Sequence, residues 1–189
     1  MPRRCILHFP LHSAFLALPL EGEAKSAFHA LQGRLEPWSS ILRFQNPGSP
    51  HLTLYFWKEM MQMEYDAVQR VAQVIAERSH PFVLQTSGIE TFGDRRGDRV
   101  LCLSVQFSPE LAAIKKLCPW PNPPGQPFHP HITIARIDHP ERFSVVKKKV
   151  MRALEKQDLT VVFDRLGLFG EIDGRKQTPI KEFVFEHHF

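Results

Sequence analysis

The stretch HLTLYFW at residues 51–57 begins with histidine, an aliphatic residue, threonine and a second aliphatic residue, and HITIARI at residues 131–137 begins in the same way. The two copies start 80 residues apart (131 − 51 = 80). Alternation of polar and apolar residues over the first positions of each stretch is typical of a half-buried β-strand. The repeat therefore predicts two related strands, one in each half of the chain.

The two copies place the same polar pair on one face of each strand. Side chains two residues apart point to the same side, so His51 lies beside Thr53 and His131 beside Thr133, while the aliphatic residues face the core. If an approximate two-fold axis relates the two halves, the equivalent strands share one groove. The pattern then predicts two imidazoles and two hydroxyls around a common site.

The elements around the two motifs recur in the same order. Apolar residues three or four apart predict helices, and short apolar or alternating runs predict strands. Each half then reads strand, helix, histidine-bearing strand, helix, strand. The first half has these at 13–18, 24–35, 51–57, 65–78 and 81–86, and the second at 99–107, 108–117, 131–137 and 143–154, with closing strands at 159–163 and 182–186. This order predicts an α+β fold with two related lobes, in a single domain over residues 1–189.

Composition limits the class of partner. The 189 residues are 43% hydrophobic and 23% charged, which is typical of a globular chain. The net charge is +4, but 24 Lys and Arg against 20 Asp and Glu are too balanced for binding nucleic acid by charge alone. A small anionic substrate or an RNA end is the expected partner.

Cysteine usage and the N-terminus indicate the compartment. Cys5, Cys102 and Cys118 are odd in number and show no CxxC spacing, so we expect reduced thiols. Prolines interrupt the apolar residues of the first 23 positions, and no apolar run reaches 18 residues. We expect a cytoplasmic protein without a membrane span; a signal peptide is the weaker alternative.

Two histidines beside two threonines suit acid–base displacement at phosphorus. One neutral imidazole takes a proton from the attacking water and the other, as imidazolium, protonates the departing oxygen. The threonine hydroxyls stabilise charge on the phosphoryl oxygens, so this chemistry requires no metal or other cofactor.

Three stretches carry a family resemblance: AFLALPL at 14–20, PHLTLYFW at 50–57 and PFHPHITIAR at 127–136. Over about residues 13–170 the chain resembles the 2H phosphoesterase superfamily, named for its two His-x-Thr/Ser motifs. It is most similar to the bacterial and archaeal RNA 2′,3′-cyclic phosphodiesterases, historically called 2′-5′ RNA ligases.

The resemblance implies a two-lobed, pseudo-symmetric 2H phosphoesterase fold, in which each lobe is an antiparallel-rich sheet with helices on its outer face and the active-site cleft is central. It implies catalytic roles for His51, Thr53, His131 and Thr133 and hydrolysis of a 2′,3′-cyclic phosphate to a 2′-phosphate. The implied substrates are RNA ends or small nucleotides, and 2′-5′ RNA ligase activity is left open. We expect a monomer.

Two further residues are candidate substrate contacts. The resemblance associates Arg136 with the phosphate or nucleotide, but strict alternation puts it opposite His131, so it reaches the groove only through a bulge or at the strand's end. Tyr55 and Trp57 share the nominal face of His51, and Tyr55 could stack on a base. Packing at the strand's end is the equal alternative.

Parts of the chain depart from the family pattern. Trp57 and Lys58 replace the residues that usually continue the first motif, and LGLFGEIDGRKQTPIKEFVF at 166–185 replaces the family's C-terminal strand. These departures affect substrate contacts more than the four motif residues. The alternatives are a 2′,5′-oligonucleotide phosphodiesterase, a non-catalytic nucleotide- or RNA-binding module, and a metal hydrolase centred on His129 and His131.

Overall fold

Both motif stretches form strands, as their alternation predicts. In the computed structural model, which describes residues 7–122, 124–125, 127–155 and 158–186, they are β3 (His51–Met60) and β6 (His131–Ile137). The other strands are β1 (Leu11–Pro19), β2 (Leu42–Phe44), β4 (Phe82–Asp94), β5 (Gly97–Val105), β7 (Thr160–Phe163), β8 (Arg165–Ile172) and β9 (Arg175–Val184). The α-helices are α1 (Gly22–Gly33), α2 (Gln62–Glu77), α3 (Pro109–Leu117) and α4 (Pro140–Ala153), and Glu36–Trp38 forms a short 3₁₀ turn.

The strands form one curled antiparallel sheet, and their order is symmetric about the central pair β6 and β3. The order is β7-β4-β5-β6-β3-β1-β8-β9, with β2 paired to β6. The motif strands are neighbours at the centre, where Leu52 of β3 lies opposite Ile132 of β6. A pseudo-two-fold axis between them exchanges β3 with β6, β1 with β5, and β8 with β4. The α+β fold with two pseudo-symmetric lobes is confirmed, and the lobes are the two halves of this sheet.

The helices cover one face of the sheet and leave the other to the site. Leu52 and Ile132 are both 0% exposed. They belong to a core that includes apolar side chains from all four helices, among them Phe28, Ile75, Ile114 and Phe143. The helix starts follow the sequence: the Ser108 side chain accepts a hydrogen bond from the Leu111 N–H, and Pro109 occupies the first position of α3.

The lobes differ from the predicted halves in their closing strands. The strand predicted at 81–86 was expected to complete the first half, but β4 pairs with β5 and β7 in the second lobe. The first lobe is completed instead by β8 and β9, from the C-terminal end. Each half of the chain thus contributes an outer strand to the lobe of the other half.

Strand β8 and the first part of β9 are the main elements that the sequence did not predict, because the glycines of this hairpin weaken a strand pattern; the strand predicted at 182–186 overlaps only the end of β9. Asp173 and Gly174 form the turn of the hairpin with positive φ angles. Gly167 leaves room for the ring of Phe169, since a Cβ at position 167 would collide with it.

The N-terminal apolar stretch is part of the sheet. Leu11–Pro19 is β1, between β3 and β8. No helix in the described ranges is both long and apolar enough to cross a membrane. Cys102 and Cys118 are buried free thiols, and Cys5 lies outside the described residues.

The central strand pair yields a stability prediction. Leu52→Ala should lower the free energy of unfolding by about 2–5 kcal/mol, because it opens a cavity beneath both motifs. Val162→Ala, on an edge strand at a side chain 58% exposed, should change it by no more than about 0.5 kcal/mol. Urea denaturation measures both, and equal effects would contradict this description of the core.

Candidate active site

The two motif histidines are held by the same local hydrogen bond. The Nδ1 of His51 lies 2.7 Å from the carbonyl oxygen of Ser49, and the Nδ1 of His131 lies 2.8 Å from that of His129. A carbonyl only accepts, so each Nδ1 is the protonated nitrogen of a neutral ring. Each Nε2 is then left with its lone pair, and neither has a hydrogen-bond partner within the described part of the chain.

The central pairing brings the two motifs together. Because β3 and β6 are antiparallel with Leu52 opposite Ile132, the register continues with His51 beside Thr133 and Thr53 beside His131. All four side chains lie on the sheet face opposite the helix-covered core. The four residues predicted from the sequence are thus gathered around the pseudo-two-fold axis.

Both motif strands bulge at the same place. The pairing of β1 with β3 skips Leu54, and the pairing of β5 with β6 skips Ile134. These are the fourth residues of the two motifs. A bulge adds one residue to its strand and reverses the alternation beyond it, so Phe56 and Arg136 return to the face of the histidines. The bulge that Arg136 requires is present.

Strict alternation was wrong for Tyr55 and Trp57. Beyond the bulge these two residues turn toward the core, where Trp57 is 8% exposed. The Tyr55 ring lies 4.6 Å from the Trp57 ring and 5.7 Å from the Trp120 ring. Tyr55 still lines the edge of the adjoining cavity, so its role as a substrate contact stays a prediction. Phe56, 54% exposed, takes the position on the site face.

The cleft has two arms that share Thr53 and Phe56. The cationic arm is a cavity of about 240 Å³ that also contains His51 and Thr133. The aromatic arm is a cavity of about 530 Å³ that also contains His131. Further side chains of the cationic arm are Ser13, Phe15, Arg43, Gln45, Arg136, Lys176 and Gln177. Those of the aromatic arm are Leu54, Tyr55, Phe92, Asn122, Pro127, Phe128 and His129.

The cationic arm is suited to an anion. Arg43, Arg136 and Lys176 line it, and none of the described residues that line it is acidic. Arg43 is engaged by Asp138, whose carboxylate lies 3.3 Å from its Nε. Arg136 has no carboxylate partner among the residues described. Its guanidinium is therefore free to bind an anion beside the two threonines.

His51 is the more buried of the two histidines. It is 7% exposed, and its ring stacks on Phe15 at 4.4 Å and on Phe169 at 5.7 Å between centroids. Burial lowers the pKa of His51 to about 4; the hydrogen bond to Ser49 opposes this shift, and the positive charge of His131 adds to it. His51 is therefore neutral near pH 7.

His131 has a more open environment. Its ring contacts Phe92 edge-on, with centroids 5.2 Å apart. Burial lowers its pKa, the hydrogen bond to His129 opposes this, and the charges of His129 and Arg136 lower it further. His129 itself pairs with Glu90 at 3.2 Å. Among the described side chains, no three His, Cys, Asp or Glu residues form a group able to hold a metal ion.

Several residues of the cleft were missed by sequence reasoning. Phe15 lies within the stretch AFLALPL, but nothing there indicates that its ring stacks on His51. Phe56 was not among the candidates, because the bulge that turns it toward the cleft is not visible in the sequence. Arg43, Phe92 and Lys176 come from other strands, and only the sheet order shows that they meet the motifs.

The aromatic stack yields a prediction for His51. In an NMR pH titration, its pKa should lie near 4 and below that of His131, because its ring is the less hydrated. Phe169→Leu should admit water to the ring and raise the pKa of His51 toward 6.5 while moving that of His131 much less. An unshifted His51, titrating near 6.5 in the unaltered protein, would contradict the description.

Comparisons with known proteins show the family of the chain. The family model of the 2′-5′ RNA ligase superfamily matches residues 30–175. An RNA 2′,3′-cyclic phosphodiesterase of Bacillus subtilis (strain 168) is 28% identical over 129 residues, which are 65% of this chain and 69% of that protein. One of Geobacillus stearothermophilus is 28% identical over 128 residues, which are 65% of this chain but only 41% of that longer protein.

Solved structures show the same fold at lower identity. A protein of Thermus thermophilus has a TM-score of 0.68 at 21% identity, covering 93% of this chain and 100% of its own. E. coli LigT complexed with 3′-AMP has a TM-score of 0.65 at 21% identity, covering 94% and 99%. With the family model matching most of its length, the chain belongs to the 2′-5′ RNA ligase superfamily of 2H phosphoesterases.

Proposed function

We propose that the protein is an RNA 2′,3′-cyclic phosphodiesterase that opens the cyclic phosphate to a 2′-phosphate by acid–base catalysis between His51 and His131. The observation that carries the proposal is the symmetric pair of imidazoles. Each is fixed by an Nδ1 hydrogen bond, leaves Nε2 free, and lies beside a threonine. The relatives named RNA 2′,3′-cyclic phosphodiesterase support it.

The proposed reaction is an in-line displacement at phosphorus. One neutral imidazole accepts a proton from water, whose oxygen forms the new bond to phosphorus. The P–O3′ bond breaks, and the imidazolium on the other side gives its proton to O3′. A phosphorus on the pseudo-two-fold axis has one imidazole on each side, as attacking and leaving oxygens on opposite sides require.

Charge on the phosphoryl group is stabilised by fixed groups of the cleft. The hydroxyls of Thr53 and Thr133 are free of protein hydrogen bonds in the described part of the chain and donate to the non-bridging oxygens. The guanidinium of Arg136 adds a positive charge in the same cavity. Donors already aimed at this position need no reorganisation during the reaction.

The two arms support an RNA end as the substrate. In the aromatic arm, Phe56, Phe92 and Phe128 offer apolar ring surface for a base, and Tyr55 borders it. In the cationic arm, Arg43 and Lys176 lie beyond the threonines and suit further backbone phosphate.

The same bond chemistry connects the other candidate activities. If an RNA 5′-hydroxyl replaces water as nucleophile, breaking P–O3′ leaves a 2′,5′ linkage, which is the ligase reaction. The reverse, with the 3′-hydroxyl attacking a 2′,5′ linkage, is the 2′,5′-phosphodiesterase reaction. We propose hydrolysis as the main activity, by a monomer, since one chain holds both motifs. The free buried thiols of Cys102 and Cys118 support a reducing, cytoplasmic compartment.

The proposed catalytic pair yields a direct mutational prediction. His51→Ala and His131→Ala should each lower kcat for 2′,3′-cyclic AMP by about 100- to 10,000-fold with EDTA present, because each removes one proton-transfer group. The control is His80→Ala, because His80 follows α2 and lines neither arm of the cleft. Full activity in either motif variant would overturn the proposal.

A substrate panel distinguishes the alternatives. It consists of 2′,3′-cyclic nucleotides, 3′,5′-cyclic AMP and 2′,5′-oligoadenylate. Binding without turnover of any member would indicate a binding module. Activity lost to EDTA and restored by Zn²⁺ would indicate the metal hydrolase centred on His129 and His131.

The depressed histidine pKa values yield a pH prediction. Below about pH 4 both imidazoles are protonated and no base remains; above the pKa of His131, which burial holds below 6.5, both are neutral and no acid remains. The kcat/KM for 2′,3′-cyclic AMP should therefore be bell-shaped with its maximum between pH 4 and 6.5, whichever ring plays each role. A maximum above pH 7, or a flat profile, would contradict this account.

A further inference from the structure

The carbonyl at each bulge receives a hydrogen bond from a helix of the opposite lobe. Lys115 of α3, the helix that precedes β6, donates from Nζ to the Leu54 oxygen of β3 at 2.9 Å. Gln32 of α1, the helix that precedes β3, donates from Nε2 to the Ile134 oxygen of β6 at 3.1 Å. The two contacts are related by the same pseudo-two-fold axis as the motifs. We call Lys115 and Gln32 the crossed donors.

The two acceptor carbonyls belong to buried residues, and of the two donors Gln32 is buried and Lys115 half-buried. Leu54 is 2% and Ile134 0% exposed, and a buried carbonyl that a bulge removes from the strand ladder needs another partner. Gln32 is 7% exposed. The Gln32 side chain also donates to the Gln45 carbonyl oxygen at 2.9 Å. The Gln45 N–H in turn donates to the Ile134 carbonyl oxygen, which thus accepts from both residues.

The Lys115 ammonium lies beside two aromatic rings. Its Nζ lies 4.8 Å from the Phe128 ring centre and 5.7 Å from that of Tyr55. Burial lowers its pKa. The hydrogen bond to Leu54 and the two ring faces stabilise this partly desolvated ammonium.

The bulges decide which side chains reach the cleft. In a regular strand without the extra residue, every side chain beyond the bulge would change faces. Tyr55 and Ala135 would then point into the cleft, and Phe56 and Arg136 would point toward the core. A group that stabilises a bulge therefore selects the residues that meet the substrate.

We propose that Lys115 and Gln32 are positioning residues that hold the two bulges, so that Lys115 keeps Phe56 in the aromatic arm and Gln32 keeps Arg136 in the cationic arm. Neither crossed donor needs to touch the substrate. Each crossed donor belongs to one lobe and binds the motif strand of the other, so the pair also connects the two lobes at the site. The activity measurements that follow rest on the proposed function.

A double-mutant cycle tests Lys115. Lys115→Met keeps the aliphatic stem and removes the donor, and it should lower kcat/KM for 2′,3′-cyclic AMP by roughly 10- to 100-fold, because misplaced contacts cost this much. In a Phe56→Ala background the same change should have little further effect. Lys115→Arg, which keeps a donor, should restore most of the activity. The matched control is Lys116→Met at the exposed neighbouring lysine, which should leave activity unchanged.

A second cycle tests Gln32 against Arg136. Gln32→Met should lower kcat/KM by roughly 10- to 100-fold alone and have little further effect beside Arg136→Ala. The control is Gln73→Met, on the exposed face of α2. Effects that add fully in both cycles would show that the crossed donors contribute only to general stability and would overturn the inference, as would unchanged activity in both Met variants.

Hydrogen exchange on the same proteins separates this inference from the proposed function. Lys115→Met should speed amide exchange at residues 53–57 alone, and Gln32→Met at 133–137 alone, relative to their controls. If the unaltered protein does not hydrolyse cyclic phosphates, the proposed function fails and the exchange pattern still decides the inference. Unchanged exchange in both segments would overturn it.

Discussion

The antiparallel contact between Leu52 and Ile132 is the constraint on which the rest of the site depends. It places the two motif strands side by side at the sheet centre, with each histidine next to the threonine of the other motif. The apolar residues that make this contact are fully buried under the helices. Hydrophobic burial on one face therefore fixes the spacing of the four motif residues on the other, and the Nδ1 hydrogen bonds fix the two imidazole rings.

The pseudo-symmetry of the backbone is broken by the surroundings of the two imidazoles. Phe15 and Phe169 stack on His51, whereas His131 meets Phe92 by its edge and lies closer to water. Both rings make the same Nδ1 hydrogen bond to a backbone carbonyl, yet their pKa values differ. Separated pKa values are what a base and an acid need in order to work together, and here they arise from unequal packing around an otherwise repeated strand.

The sequence predicted the four motif residues of this site but few of the residues that surround them in the cleft. The motif strands, the four motif residues and the helices follow from short-range patterns, because alternation and helical spacing are local properties. The bulges at Leu54 and Ile134 do not, since they arise from pairing with strands distant in the chain, and strict alternation therefore placed Tyr55 and Trp57 on the face of the histidines. Strand β8 and the start of β9 escaped prediction, because the glycines of this hairpin serve close packing against Phe169 and a tight turn rather than strand propensity.

The proposed mechanism requires both imidazoles to act on one phosphoryl group bound on the axis between the lobes. A crystal structure with 2′-AMP bound tests it most directly. We expect the phosphorus between the Nε2 atoms of His51 and His131, with phosphate oxygens within hydrogen-bond distance of the Thr53 and Thr133 hydroxyls. A phosphate bound elsewhere, or one that only a single motif can reach, would contradict it.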